Sequence, residues 1–162
     1  MAELKVLMVC TGNICRSPTA EGVLRAKLQA AGLHRKVEVD SAGTLGAHAG
    51  EPPDVRAIKH AAARGYDLRK LRARRLSRSD FEAFDLVLAM DEGHLERLRE
   101  IAPEGSRAQI GLLLEYGSRF AEQREVPDPY FGPPAGFERV LDLVEDGCDG
   151  LLGAIQRDLG TK

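Results

Sequence analysis

Four short apolar runs, separated by segments with helical spacing, constrain the fold of this chain more than any other feature. They predict strands over residues 4–9, 37–40, 85–90 and 109–114. Strands that alternate with helices form a parallel sheet that is covered on both faces. The sequence therefore predicts an α/β fold in a single domain over residues 1–162, with four parallel strands and helices on both faces of the sheet.

Helical spacing fills the intervals between the strands and the end of the chain. Ser17 and Pro18 are typical of the N-cap and the first position of a helix, which Gly32 would end. Further helices are predicted over residues 55–64, 92–101 and 137–159, although Gly147, Gly150 and Gly153 weaken the last one. Residues 116–134 show neither pattern and are predicted to be irregular.

Composition excludes several classes of protein. The net charge is −2 over 162 residues, so the molecule as a whole is not expected to attract nucleic acid. No apolar stretch approaches the ~18 residues of a membrane span, and no secretory cleavage pattern follows the first strand. Three cysteines in a chain of this length do not suit a disulfide scaffold. We therefore expect a cytoplasmic protein without membrane or nucleic-acid partners.

The segment after the first strand carries the most informative motif. It runs Cys10-Thr11-Gly12-Asn13-Ile14-Cys15-Arg16-Ser17 and leads into the first helix, and Asn13 is the one asparagine in the chain. Such a loop lies at the carboxyl edge of an α/β sheet, where ligands bind, and its N–H groups can form a nest for an anion. The N-terminus of the helix adds about half a positive charge. The segment therefore predicts a phosphate-binding loop.

Three side chains of this loop suggest a reaction rather than binding alone. Groups that bind phosphate also favour the thiolate of Cys10, which makes this residue a candidate nucleophile. Ser17 is a candidate donor to the sulfur, and the fork of Arg16 matches two phosphate oxygens. The other interpretation is a buried structural cysteine beside a solvated arginine. A nucleotide-binding loop lacks support because Gly-Lys-Ser/Thr is absent, and the spacing of Cys10 and Cys15 does not suit a metal site.

A second motif, Pro127-Asp128-Pro129, lies in the irregular stretch. A phosphate ester leaves poorly unless its oxygen is protonated, and a carboxylic acid on a loop is a suitable donor. The same carboxylate can later activate water as a base. Asp128 is therefore a candidate general acid, with Tyr130 and Phe131 beside it as walls for a substrate ring. From the spacing alone, a simple turn is an equal interpretation.

Together these motifs resemble the low-molecular-weight protein tyrosine phosphatases over nearly the whole chain. The matching segments are residues 9–18 in the active-site loop, 40–44 after the second strand, 50–54 in the variable loop, 88–91 in the third strand and 128–130 in the general-acid loop. The resemblance implies hydrolysis of phosphotyrosine, in phosphorylated proteins or small aryl phosphates, through a cysteinyl-phosphate. It implies no metal and no cofactor.

The resemblance also implies a role for each residue of the site. Cys10 would be the nucleophile, Arg16 the phosphate clamp, and Asp128 the general acid and then the base. The phosphate-binding loop would be completed by Thr11, Gly12, Asn13, Ile14, Cys15 and Ser17. Asn13, bonded to Ser41, would hold the strained shape of the loop, and Ser17 would assist the thiolate. Cys15 stands where family members keep a second cysteine that forms a reversible, inhibitory disulfide with the nucleophile, and simple packing is the alternative.

Substrate preference is where the sequence departs from the family. Members often carry an aromatic residue just before the position of His48, where this chain has Leu45-Gly46-Ala47. The wall of the substrate site is therefore expected to comprise Tyr130, Phe131, Leu45 and His48. Related protein arginine phosphatases tend to carry Thr at the position of Ile14, so Ile14 favours an aromatic substrate.

Other functions remain open from the sequence. Thiol-based arsenate reductases need further cysteines after the third strand, and this chain has none between Cys15 and Cys148. A redox protein with Cys10 and Cys15 as a dithiol, and a catalytically silent phosphate-binding module, are two further alternatives. The basic stretch over residues 68–80 either steers acidic phosphopeptides or forms a solvated face.

Overall fold

The sheet of the protein is described by a computed structural model that covers residues 2–160. Its strands are β1 (Leu4–Cys10), β2 (Val37–Gly43), β3 (Leu86–Ala89) and β4 (Gln109–Leu112). They are all parallel and lie in the order β2-β1-β3-β4, which places β1 in the interior of the sheet. The predicted α/β fold with four parallel strands is confirmed.

In the described part of the chain, five helices connect or follow these strands: α1 (Arg16–Ala30), α2 (Val55–Ala63), α3 (Asp80–Ala83), α4 (Glu92–Ile101) and α5 (Ala135–Asp158). Val6 and Met8 of β1 pack with α1 and α5 on one face, whereas Leu7 and Val9 pack with α3 and α4 on the other. Alternate residues of β1 thus serve two separate cores, as expected for a strand buried on both faces. Within residues 2–160, no helix has the length and apolar character needed to cross a membrane.

The strand register brings the functional loops to one edge of the sheet. Cys10, the last residue of β1, lies beside Gly43, the last residue of β2. Asp91 follows β3 at the same edge and caps α4 by accepting a hydrogen bond from the backbone N–H of His94. The carboxyl ends of three neighbouring strands therefore meet around Cys10, which is where ligands bind in open α/β sheets.

The observed bounds of β1 and β3 lie within one residue of the prediction, whereas those of β2 and β4 differ by more. β2 continues three residues beyond the predicted end at Asp40, because it pairs with β1 as far as Gly43. The fourth strand was expected to reach Leu114 but ends at Leu112, and a 3₁₀ turn over Leu113–Tyr116 follows it. This turn packs against α5, which accounts for the early end of the strand.

Two glycines that were expected to weaken the last helix instead permit this packing. A Cβ atom at Gly150 would lie 1.7 Å from the carbonyl oxygen of Tyr116, and one at Gly147 would lie 2.9 Å from the side chain of Leu113. Only glycine allows α5 to approach the 3₁₀ turn this closely. The glycines lower the helix propensity of α5, but they allow its backbone to contact the backbone of the 3₁₀ turn.

The start of α1 also differs from the prediction. The N-cap is Cys15, which makes no side-chain cap hydrogen bond, and Ser17 lies inside the first turn. The prediction of Ser17 as the N-cap is wrong because its hydroxyl lies 2.9 Å from the sulfur of Cys10 instead. The short helix α3 begins at Asp80, the last residue of the basic stretch, and the sequence did not indicate it.

Candidate active site

The loop from Cys10 to Ser17 joins β1 to α1 and encloses a concave floor. Asn13 is the residue of this loop with a positive φ, which at 59° lies in the left-handed region. Asparagine tolerates this region better than other residues with a Cβ atom. The sequence therefore supplies a suitable residue where the loop reverses direction.

The sulfur of Cys10 lies at the base of this loop, and the residue is only 3% exposed. Ser17 Oγ lies 2.9 Å from Cys10 Sγ. Ser17 Oγ also accepts a hydrogen bond of 2.8 Å from Asn13 Nδ2. Because its lone pair is engaged by the amide, the hydroxyl proton of Ser17 is free to point at the sulfur. The arrangement makes Ser17 a donor to Cys10.

Asn13 uses its whole amide group to brace the loop. Besides Ser17, its Nδ2 donates to Ser41 Oγ over 2.9 Å, and its Oδ1 accepts from the backbone N–H of Arg74 over 3.0 Å. The amide therefore connects the loop both to β2 and to the basic stretch. The side chain of Arg74 is itself paired with Asp40 and Asp80, so this part of the stretch is structural rather than a solvated face.

A buried carboxylate supports this brace from below. Ser41 Oγ donates to Glu21 Oε1 over 2.7 Å, and Arg25 Nη2 donates to Glu21 Oε2 over 2.6 Å. Burial raises the pKa of Glu21 above its ordinary value, although the bonds from Ser41 and Arg25 oppose the rise. The chain of donors and acceptors from Arg25 to Ser17 fixes the direction of each hydroxyl.

Gly43 allows the loop to lie against the end of β2. Leu45 N–H donates to the carbonyl oxygen of Thr11 over 3.0 Å. A Cβ atom at position 43 would lie 2.7 Å from that same oxygen and 2.9 Å from the oxygen of Leu45. Since both neighbours are backbone atoms, they cannot move aside as a flexible side chain would. Glycine is required here by close approach.

Arg16 turns its guanidinium back towards the loop and is 5% exposed. Its Nη1 donates to Asp91 Oδ2 over 2.9 Å and to the carbonyl oxygen of Val126 over 3.1 Å. Its Nη2 lies 3.7 Å from Asp128 Oδ2. Burial opposes ionisation of Asp91, but bonds from the His94 amide and Arg16 outweigh it and hold the pKa of Asp91 below its ordinary value. The ionised carboxylate keeps the guanidinium in place.

The segment around Asp128 forms the opposite wall. Asp128 Oδ1 accepts from the backbone N–H of Tyr130 over 3.1 Å, and half of its side chain is exposed. Arg56 Nη2 donates to the carbonyl oxygen of Tyr130 over 3.0 Å, and its guanidinium lies over the ring of Phe137 at 4.7 Å. Arg56 thus ties this segment to α2 and α5, while Asp128 stays accessible.

These elements enclose a cleft of about 220 Å³. Its lining residues are Cys10, Thr11, Gly12, Ile14, Cys15, Arg16, Leu45, Ala47, His48, Asp128, Tyr130 and Phe131. All four residues expected to form the substrate wall are among them, and Tyr130 and Phe131 meet edge to face at 4.7 Å. Phe131 is 94% exposed, so its ring stands at the mouth of the cleft rather than inside it.

Comparison with known proteins places this arrangement in a family. The profile of the family described as low molecular weight phosphotyrosine protein phosphatase matches residues 5–161. A low molecular weight protein-tyrosine-phosphatase of Streptomyces coelicolor is 47% identical over 96% of this chain and 95% of its own length. The chain belongs to the low-molecular-weight phosphotyrosine protein phosphatase family.

Solved structures agree with this assignment. A protein tyrosine phosphatase of Entamoeba histolytica superposes on this phosphatase with a TM-score of 0.89 and 39% identity, covering 97% of this chain and 98% of the other. A Drosophila arginine phosphatase also superposes, with a TM-score of 0.88 and 31% identity, over 94% of this chain and 98% of the other. The fold is therefore shared by phosphatases whose names state different substrates.

The phosphatase has a second cysteine at the cleft. Cys15 is buried, and burial, with the nearby charges of Asp54 and Asp128, raises the pKa of its thiol to about 12. Cys10 and Cys15 are both free, and Cys148 is buried in the core beneath α1. At neutral pH, Cys15 is therefore a thiol rather than a thiolate.

Four residues that shape the site have no role in the prediction from sequence. They are Glu21, Arg56, Asp91 and His94. For Asp91 a usable signal exists, since it directly follows a strand at the ligand-binding edge. Glu21 and Arg56 lie within helices, and their functional contacts come from segments distant in the chain. Nothing in their local sequence distinguishes them from surface charges.

Proposed function

We propose that this phosphatase hydrolyses phosphotyrosine, in proteins or as small aryl phosphates, with Cys10 as the nucleophile. The observation that carries the proposal is that Cys10, Arg16 and Asp128 line one cleft, in which the guanidinium of Arg16 lies 3.7 Å from Asp128. Behind the cleft, the buried hydroxyl of Ser17 lies 2.9 Å from the sulfur of Cys10. A nucleophile, a clamp for anionic oxygens and a proton donor are the three parts that hydrolysis through a thiolate needs.

In the first step, Cys10 Sγ attacks phosphorus. A sulfur–phosphorus bond forms while the ester bond to the phenolic oxygen breaks, and the protonated carboxyl of Asp128 gives its proton to that oxygen. Arg16 and the backbone N–H groups of the loop bind the equatorial oxygens, where charge spreads in the transition state. Ser17 stabilises the sulfur as an anion before attack and as a leaving group afterwards.

In the second step, water replaces the sulfur. The carboxylate of Asp128 accepts a proton from the water molecule as its oxygen attacks phosphorus. The sulfur–phosphorus bond breaks, the thiolate of Cys10 is restored, and inorganic phosphate leaves. Asp128 ends the cycle protonated and Cys10 ionised, as both began.

The preference for an aromatic ester rests on the walls of the cleft. Ile14, Leu45 and Tyr130 line the same cleft as Cys10 and supply apolar surface for a phenyl ring whose phosphate lies at the sulfur. A phosphoserine has too short a side chain to use these walls. Phosphoarginine is the alternative substrate, since a related Drosophila protein is named an arginine phosphatase. The apolar lining from Ile14, Leu45 and Tyr130 favours a phenyl ring over a guanidinium.

The remaining expectations concern binding partners, cellular location and redox chemistry. Free, buried cysteines and a net charge of −2 support a cytoplasmic protein that does not bind nucleic acid. Cys15 shares the cleft with Cys10, which supports the predicted reversible disulfide between them.

The deciding experiment compares three peptides of one sequence that carry phosphotyrosine, phosphoarginine or phosphoserine. We expect phosphotyrosine to be released fastest, with activity retained in a chelator because Arg16 and the loop supply the positive charge. Cys10→Ser should abolish turnover while inorganic phosphate still binds. Turnover by Cys10→Ser would refute the nucleophile, and faster release from phosphoarginine would refute the substrate.

A further inference from the structure

His94, in the first turn of α4, has an unusual environment. It is 6% exposed. Within residues 2–160, its Nδ1 is the one buried side-chain nitrogen or oxygen that lacks a hydrogen-bond partner. Buried polar atoms are nearly always paired, so an exception calls for an explanation. His94 does not line the cleft, and the mechanism above does not use it.

The other ring nitrogen contacts the phosphate-binding loop directly. His94 Nε2 lies 2.7 Å from Thr11 Oγ1. The backbone of Thr11 is fixed from the opposite side, because its carbonyl oxygen accepts from Leu45 N–H. The residue after the nucleophile is therefore held by its hydroxyl from α4 and by its backbone from the loop that follows β2.

The charges around His94 determine which nitrogen carries the proton. Burial lowers its pKa to about 4, helped by Arg16 of α1 and opposed by Asp91, and by Asp128 and Glu125 of the irregular stretch. The ring is therefore neutral at neutral pH. Its Nδ1 lies 3.1 Å from Asp91 Oδ1, where a lone pair would be repelled by the carboxylate. The proton thus belongs on Nδ1, and Nε2 accepts from the hydroxyl of Thr11.

Asp91 extends the connection to the other end of the loop. Its Oδ1 faces the ring and accepts from the backbone N–H of His94 over 2.8 Å, while its Oδ2 accepts from Arg16 Nη1 over 2.9 Å. The first turn of α4 therefore holds Thr11 through His94 and Arg16 through Asp91. Thr11 directly follows the nucleophile, and Arg16 lies near the other end of the loop.

We propose that His94 is a positioning residue, which as a neutral imidazole fixes Thr11 and directs the carboxylate of Asp91 to Arg16. It sets the separation of the two ends of the phosphate-binding loop without touching the substrate. The inference rests on the proposed function of that loop. It predicts that the hydroxyl of Thr11 and the ring of His94 act as one unit.

A double-mutant cycle tests this coupling. His94→Leu removes the acceptor and keeps an apolar residue in the buried site, and Thr11→Val removes the hydroxyl and keeps the shape. We expect each single variant to lower kcat for an aryl phosphate by about tenfold, as for loss of one hydrogen bond that orders the site. The double variant should be no slower than the slower single variant. Effects that multiply would refute the coupling.

Two controls separate positioning from general destabilisation. Leu98→Val changes a buried residue one turn later in α4, and it should lower the unfolding midpoint while leaving kcat within twofold. His94→Gln restores a hydrogen-bonding group near the position of Nε2 and should recover most of the lost rate. If Leu98→Val slows the reaction as much as His94→Leu, or if His94→Gln recovers nothing, the positioning role is wrong.

Two further measurements keep this inference distinct from the proposed function. Titration with inorganic phosphate, which needs no turnover, should show weaker binding by His94→Leu and by Thr11→Val than by the unaltered chain. The nitrogen chemical shifts of His94 should show a proton on Nδ1 and none on Nε2 at pH 7. An inactive unaltered protein would refute the phosphatase assignment alone, whereas unchanged phosphate binding or a proton on Nε2 would refute the role of His94.

Discussion

Replacing Asn13 tests the brace of the phosphate-binding loop most directly. Its amide makes three hydrogen bonds, to Ser17, to Ser41 and from the backbone N–H of Arg74, at 2.8, 2.9 and 3.0 Å. A buried hydrogen bond contributes about 1 kcal/mol net, so their loss costs about 3 kcal/mol. This is a large fraction of the ~5–15 kcal/mol that stabilises a domain of this kind.

Two substitutions separate the hydrogen bonds from the backbone. Asn13→Gly removes the bonds but accepts the φ of 59°, whereas Asn13→Ala removes the bonds and also strains the backbone. We expect Ala to be less stable than Gly by up to about 1 kcal/mol, which is what remains of the left-handed penalty after the extra flexibility of glycine in the unfolded chain. Since both variants lack the hydrogen bonds, the difference between their stabilities reports the backbone conformation alone.

Urea unfolding followed by circular dichroism measures both effects, because the chain has no tryptophan to serve as a probe. With a slope of about 2 kcal/mol per M, a loss of about 3 kcal/mol moves the midpoint down by about 1.5 M. The value of kcat should fall about tenfold or more, since the hydroxyl of Ser17 is no longer directed at Cys10. A shift below about 0.5 M in both variants, or unchanged kcat, would show that the brace does not hold the loop.

Three further perturbations address the acid, the close approach and the buried imidazole. Asp128→Ala should slow aryl phosphates with poor leaving groups by about 10²–10⁴ and those with good leaving groups far less, in steady-state rates over a leaving-group series; equal slowing would remove Asp128 from the acid role. Gly43→Ala should destabilise the fold by about 1–3 kcal/mol and reduce kcat, because its Cβ meets backbone oxygens at 2.7 and 2.9 Å, whereas Gly46→Ala meets only the flexible side chain of Arg75 and should be nearly neutral. The pKa of His94 falls from 6.5 to about 4 on folding, so the unfolded chain binds more protons in this window and stability is lost as the pH drops through it. Between pH 7 and pH 4, the contribution of His94 to the free energy of unfolding should fall by about 3 kcal/mol, and His94→Leu should lack this part of the pH dependence. Urea titrations at the two pH values measure it. The same pH dependence in both proteins would contradict the buried neutral ring.

The fold and the residues of the cleft were largely accessible from the sequence because both depend on local signals. The apolar run before Cys10 and the helix start after Arg16 define a strand, a loop and a helix without reference to any other segment. The edge of the sheet then follows from the alternation of strands and helices.

The supporting contacts were not accessible, because they join segments that only the folded chain brings together. Arg74 was predicted as part of a basic run, yet it pairs with Asp40 and Asp80 and its N–H holds Asn13. The same holds for Gly150, whose role depends on the carbonyl of Tyr116 more than 30 residues earlier. The local sequence instead indicated a steering or solvated charge for Arg74 and a weakened helix for Gly150.

The attachment of Val126 has a consequence for how the protein is made. Its carbonyl accepts from Arg16, 110 residues earlier, and its N–H donates to the carbonyl of Met90. A nascent chain that has left the ribosome only as far as β4 already contains the thiol and the guanidinium but not the carboxyl at position 128. Because the carbonyl of Val126 is one of the two acceptors that hold Nη1 of Arg16, the anion-binding loop and its proton source are both completed only when the last quarter of the chain is translated.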